Sequence, residues 1–332
     1  MDIHNRKELK SFAAQRLESA LQEKRVILIY TGLVIGVNVL SVLLSYVLGL
    51  RIDQATGLRN LGIRNTLSSI QTMLPILQSI LVMCLDLGYV STMLRVARGQ
   101  YASPNGLRLG FDRFGVLLRS QIILSLFYVG ICFVSIYAAS MIYMLTPFSA
   151  STKELILPIL SEASILNTEI AIDDATYTQL ISSMVPAFVI FGVIFTALYI
   201  PVSYRFRMAN YVLIDKPGIG AIAALRESRL MMRGNAIELF KLDVSLWWYH
   251  AALLFSSVVC YGDQILPALG MELPVSTDAA YFIFYALYWV LQAAVYYFLR
   301  NRVEVTYALA YDAIKPEEKK PEGVVLGNIF QM

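Results

Sequence analysis

Residues 26–50 read VILIYTGLVIGVNVLSVLLSYVLGL, 25 positions without one charged side chain. A helix crossing a bilayer needs about 20 mostly apolar residues, so this stretch spans with length to spare. It follows a charged arm and exceeds the apolar core of a signal peptide, and no small-residue cleavage pattern clearly follows it. The expectation is an anchor that stays in the membrane. Working outward, five more segments meet the same test, at 74–94, 121–145, 181–204, 244–261 and 279–299. The fold expected is an all-α integral membrane protein with six transmembrane helices.

Composition agrees. Of 332 residues, 57% are hydrophobic and 15% charged, and the mean hydropathy is +0.61. Soluble domains carry about 45–50% apolar and about 25% charged residues. Little sequence is left for a soluble catalytic domain, and a formal charge of +3 is too small to argue for nucleic acid. Cys84, Cys132 and Cys260 stand alone inside apolar runs, which gives neither a disulfide framework nor a metal site. No cofactor is expected.

Orientation follows from the positive residues, which are retained near helix ends on the cytoplasmic side. Of 27 Lys and Arg, 23 fall in the amino-terminal arm, the second and fourth connections and the tail. The other side keeps Arg51, Arg59, Arg64 and Lys153 beside nine acidic residues, among them Asp53, Glu154 and Asp173. Both termini are therefore expected in the cytoplasm, in a plasma membrane. The expected organisation is an amphipathic arm at 1–25, a six-helix domain at 26–312 and a polar tail at 313–332. An outside insert occupies 146–180 and a cytoplasmic interfacial segment occupies 205–241.

Short amphipathic segments precede the odd-numbered helices. In the arm, Leu9, Phe12, Ala13, Leu17, Ala20 and Leu21 recur at helical spacing, with Asn5 and Glu8 placed as a capping pair. Leu107, Phe111, Phe114 and Leu118 precede the third helix, and Ala221, Ala224, Leu225, Ser228, Met231 and Met232 share a face before the fifth. The even helices end alike, as YVSTMLRVAR, SYRFRMANYVL and FLRNRVEVTYAL. Two readings stay open: a unit used three times, or the ordinary product of alternating topology.

The stretch YRFRMANYVLIDKPGIGAIAALRESRLMMRGNAIELFKLDVSLWW, residues 204–248, carries Met208, Tyr211, Asp215, Pro217, Ser228, Met232, Gly234, Ser245 and Trp247. In that order it resembles the signature of a bacterial multi-pass family catalogued as a domain of unknown function, number nine hundred seventy-five. NRKELKSFAAQRLESAL resembles the family's amino terminus and AYDAI its closing aromatic. The motif comparison leaves out the insert from Thr146 to Gln179 and the tail. The resemblance implies a six-helix membrane fold and brings no activity.

Candidate functional residues come from polar groups in apolar surroundings. Asp86 is the one formal charge well inside a predicted span, about 12 Å from that span's end, where a carboxyl must be protonated, paired or wet. It marks an ion or proton path, or it holds helices together. Tyr281, Tyr285, Tyr288, Gln292 and Tyr296 form a stripe on the sixth helix, and Gln121, Ser125, Tyr128, Cys132 and Ser135 form one on the third. Facing each other, with Tyr128, Tyr285 and Gln292 as partners of Asp86, they would line a pocket or supply interhelical hydrogen bonds. Gly32 and Gly36 suit close helix packing within the chain. Arg205, Arg207, Arg226, Arg229 and Arg233 are candidate contacts for lipid phosphates. Ser228 reads as a packing or capping group, and no catalytic motif is recognisable.

The expected function is non-enzymatic: handling a small or amphiphilic solute, or serving as the membrane subunit of a transport-type assembly. A partner-binding scaffold and a lipid-acting membrane enzyme are the alternatives. Expected partners are membrane lipids, with room for a membrane-protein partner or a second copy.

Overall fold

The computed structural model describes residues 3, 5–19, 23–54, 60–166, 174–271 and 276–316. Among these, all regular structure is helical. In chain order come α1 (Arg6–Ser19), α2 (Glu23–Gln54) and α3 (Leu61–Ala97), then a 3₁₀ turn (Pro104–Arg108) and α4 (Leu109–Asp112). Next are α5 (Phe114–Met144), α6 (Phe148–Leu166), α7 (Asp174–Phe206), α8 (Ala209–Asp215) and α9 (Ala221–Met231). The rest are α10 (Ala236–Ser245), α11 (Trp247–Cys260), α12 (Gly262–Ala268), α13 (Thr277–Val295), a π turn (Tyr296–Arg300) and α14 (Asn301–Ile314).

Five helices are long and apolar enough to cross a membrane, and six if the bent pair α10 and α11 makes one span. The long apolar helices point to a membrane protein. Three of them, Leu61–Ala97, Thr178–Asp215 and Ala279–Ile314, run to 37, 38 and 36 residues. These are the helices with the shared endings, and each continues well past the limit that hydropathy alone set. At 1.5 Å per residue they reach roughly 55 Å, against a hydrocarbon thickness of about 30 Å. The segments that precede the odd-numbered helices are less alike.

The fifth expected span, 244–261, is not one straight helix: α10 and α11 meet at 62°. The Ser245 hydroxyl bonds back to the Leu242 carbonyl at 2.6 Å, an insertion into the helix ladder that bends helices. The freed Ser245 carbonyl accepts from Lys10 Nζ at 2.9 Å. Burial, with Arg6 adding to it, holds that ammonium below its ordinary pKa.

Two compact units divide the chain: residues 1–118 with 207–332, and residues 119–206. In the smaller unit, the Tyr143 hydroxyl donates to the Ser183 carbonyl at 2.9 Å and pairs with Thr152 Oγ1 at 2.6 Å, tying α5, α6 and α7 together. The insert at 146–180 thus holds a helix, α6, packed against α7.

In the larger unit α2 and α14 pack on α3, α1 packs on α14, and α11 packs on α13. Leu9 and Ala13 of α1 are buried against protein, and Asn5 caps α1 with Glu8 reciprocally, as the spacing predicts. Two halves of α3 differ sharply. Nearly every residue from Cys84 to Ala97 is buried, whereas Ile63, Ile70, Met73, Ile76 and Leu77 in the preceding half are exposed. Backbones touch where the 3₁₀ turn and α4 lie on α3: a Cβ at Gly88 would stand 2.2 Å from the Leu107 carbonyl oxygen, and one at Gly110 would stand 1.9 Å from that of Cys84. The expected amphipathic helix over Leu107, Phe111, Phe114 and Leu118 breaks there, and Phe111 and Phe114 are exposed. Close packing at Gly32 and Gly36 is also absent, since a Cβ at either meets nothing within 4 Å.

Candidate functional site

Asp86 is not a lone charge. Tyr30 of α2 donates to its Oδ1, and Arg300, on the π turn, donates both to the Tyr30 hydroxyl and to Asp86 at 3.1 Å. Arg300 continues to Glu304 at 3.7 Å, whose carboxylate accepts from the Tyr211 hydroxyl at 3.3 Å. The guanidinium lies 4.9–5.2 Å from the ring centroids of Tyr30, Tyr89 and Tyr296, within range for cation–π attraction. Its side chain is 12% exposed, that of Asp86 37%. The expected partners Tyr128, Tyr285 and Gln292 are replaced by Tyr30 and Arg300. Nor does Asp86 have exposed apolar helix on both sides of it; that surface of α3 precedes it, and protein encloses every residue from Leu87 to Ala97 except Arg95.

Arg300 and Glu304 were missed because the predicted span stopped at Leu299. Spacing held the signal: 288, 292, 296, 300 and 304 continue one stripe at intervals of four. A plain α-helix would let such a stripe drift, and the wider π turn corrects it.

Two full turns along the same helices lies a cavity of about 700 Å³. The Tyr stripe of α13, with Tyr281, Tyr285 and Tyr288, forms one wall beside Trp289. Facing it are Asn38, Ser41 and Ser45 of α2 and Gln71 and Gln78 of α3, with Cys260 of α11 between. Gln78 donates to Asn38 Oδ1, and Gln71 Nε2 donates to the Ser45 carbonyl at 3.2 Å. From Asn38, Gln78 and Tyr288 to Tyr30, Asp86 and Tyr296 is eight residues on each helix, about 12 Å. Between the two levels Gln292 and Thr31, each 6% exposed, keep Gln292 Oε1 and Thr31 Oγ1 without hydrogen-bond partners. Of the sixth-helix stripe Tyr281, Tyr285 and Tyr288 line this cavity and Gln292 and Tyr296 do not, and the third-helix stripe does not share it. Gln121 and Tyr128 belong to the other unit, where Tyr128 rests against Tyr199 at 5.0 Å.

A second ionic cluster joins the ends of α3, α8 and α14. Arg98 grips Asp312 through Nε and Nη2 at 3.0 and 2.6 Å and reaches Asp215 at 2.7 Å. Those contacts, Asp312 foremost, raise the Arg98 pKa above its ordinary value against the opposing effect of burial. Tyr311 donates to Asp215 at 3.2 Å, Lys315 also bonds it, and the Tyr211 and Tyr311 rings stack at 5.3 Å. Ser228 accepts from the Met208 amide at 3.2 Å, the capping role expected of it. Arg113 donates to the Leu213 and Lys216 carbonyls at the end of α8.

The basic residues separate by role. Arg226 and Arg229 are exposed on α9, opposite the buried Ala224, Leu225 and Ser228, and Arg233 is exposed in the turn after it. Arg207 is engaged: it pairs with Asp243 at 3.4 Å and covers the Tyr307 ring at 4.9 Å. Arg205 is exposed and falls in the smaller unit. Among the described residues, no group of three His, Cys, Asp or Glu stands where it would hold a metal ion.

Residues 1–318 match the family described as a protein of unknown function (DUF975), and the chain belongs to that family. The match takes in the insert that the motif comparison left out. Its signature residues Met208, Tyr211, Asp215, Ser228 and Met232 are buried or ion-paired around α8 and α9, and the closing Tyr311 meets Asp215. Neither a curated protein nor a solved structure matches the chain.

Proposed function

We propose that this member of the DUF975 family is a multi-pass protein of a bacterial plasma membrane that binds a small or amphiphilic solute in the cavity between α2, α3, α11 and α13, without catalysing a reaction. One observation carries the reading: a polar cavity of about 700 Å³ bounded by four helices whose outer faces are apolar. Cavities between helices of this volume are the usual seats of small ligands. A scaffold would gain nothing from amides and hydroxyls directed into a gap, because each costs free energy unless water or a ligand satisfies it. Asp86 and Arg300 lie about 12 Å further along the same helices, and transport, alone or as an assembly subunit, is the activity this arrangement suits.

Both termini lie on the cytoplasmic side in this reading, by the positive-residue bias. The exposed Arg226, Arg229 and Arg233 then face anionic headgroups, where each basic residue gains about 1 kcal/mol. Exposed Ile222 and Leu230 on the same outer side of α9 reach into the interface.

Cys260 provides the test, since it lines the cavity while Cys84 is buried. In a Cys132→Ser background, a charged, water-soluble thiol reagent is expected to modify Cys260 in membrane-embedded protein. A Cys260 that stays unreactive while a control cysteine at Lys153 is labelled would mean a dry gap, and the scaffold reading would replace this one.

A further inference from the structure

Resting on that reading, we infer that the cavity selects an organic cation, a quaternary or protonated ammonium head, over neutral and anionic solutes. Charge is the first argument. Among the described residues that line the cavity, Asp53 is the one with a formal charge, and it is exposed; none of them is Lys or Arg. Those residues offer an anion no countercharge.

Ring geometry is the second argument. Tyr281 and Tyr285 lie 4.9 Å apart and tilted by 39°, Tyr285 and Tyr288 6.2 Å apart at 69°, and Tyr288 and Trp289 4.6 Å apart at 60°. Rings set at such angles present π faces and edges in several directions, as the wall of a cage does. A sugar would need one flat platform, whereas a compact cationic head is attracted to several faces at once. The protein already uses this chemistry two turns away, where three tyrosines surround the Arg300 guanidinium. Amides and hydroxyls of Asn38, Gln71 and Gln78 solvate the polar remainder of such a ligand, and Val42 and Leu50 offer apolar contact for a tail.

The test uses full-length protein in lipid nanodiscs with Trp247 and Trp248 changed to Phe, leaving Trp289 as the reporter among the three tryptophans. Choline, its uncharged tert-butyl isostere and the corresponding tert-butyl carboxylate serve as probes of nearly one shape and three charges. Choline should shift the Trp289 emission saturably and bind at least about 10-fold more tightly than either isostere. Tyr285→Leu should weaken it about 3- to 30-fold, the range of one desolvated cation–π contact, and Tyr285→Phe should leave it nearly unchanged. Asp53→Asn should weaken it up to about 5-fold, less at high salt. Equal or tighter binding of either isostere overturns the inference. So does the absence of choline binding in protein whose Cys260 reacts with the aqueous thiol reagent, a result that leaves the solute-binding cavity standing. An unreactive Cys260 removes the cavity reading itself.

Discussion

Replacing Arg300 by Met keeps the length and apolar stem of the side chain and deletes the guanidinium. Three consequences can be worked from the contacts. Asp86 loses a partner at 3.1 Å and Glu304 one at 3.7 Å, and three tyrosine rings lose the cation they surround. Removing one partner of a buried ion pair costs about 3–5 kcal/mol, because the remaining charge stays desolvated. For a protein of 332 residues that corresponds to a fall in Tm of roughly 4–7 °C. In a Cys132→Ser, Cys260→Ser background a thiol-reactive dye measures it: Cys84, buried two residues before Asp86, becomes reactive only when that part of α3 opens. Arg300→Lys restores charge but not the forked geometry, so it should fall between wild type and Met. In the double variant Arg300→Met with Glu304→Gln the loss should be smaller than the sum, since one uncompensated carboxylate is gone. An Arg300→Met protein melting within about 1 °C of wild type would refute the reasoning and reduce the cluster to surface pairing.

Asp86→Asn should cost less than Arg300→Met in the same assay, because Glu304 still neutralises Arg300; a larger loss would make Asp86 the principal partner. Gly110→Ala places a Cβ 1.9 Å from the Cys84 carbonyl oxygen and should cost about 1–3 kcal/mol or more by overpacking, while Gly32→Ala, with nothing within 4 Å, should leave Tm unchanged. Arg98→Gln should expose the ends of α8 and α14 to hydrogen exchange, and Arg98→Lys should restore little of the protection, because the two bonds to Asp312 need a planar fork. An impermeant thiol reagent should label a cysteine at Lys153 from outside the cell and one at Ile222 only after permeabilisation; the reverse pattern would invert the orientation.

Runs without charge, such as 26–50, name a spanning helix because the bilayer fixes the length required, and they were legible for that reason. Their ends were not: the α13–α14 helix continues through residues, such as Thr306 and Tyr307, that are polar yet enclosed, and hydropathy reads enclosure by protein as exposure to water. The same blindness hid half the ionic site. Asp86 stood out because apolar neighbours flank it, while Arg300 and Glu304 looked like a positive flank. Only the four-residue rhythm from Tyr288 onward shows that they belong to the Tyr and Gln stripe. The stripe on the third helix read just as well and does not line this cavity, because periodicity assigns a face to a helix and says nothing of which helix it meets.

A single helix that changes its pitch runs from the cavity to the ionic cluster. Along α13 and the π turn, one face passes from Tyr281 to Glu304, from rings that border open space to a guanidinium that holds two carboxylates. Gln292 stands midway, 6% exposed, with its Oε1 unpartnered, where a buried acceptor costs free energy that a few ångströms of helix movement or one water would recover. A π turn is a place where an α-helix can take up or release one residue. Rotation there would carry Arg300 away from Asp86 and bring Gln292 a different partner in the same motion. The cavity wall and the ion pair are thereby built on one continuous run of helix, from α13 through the π turn to α14.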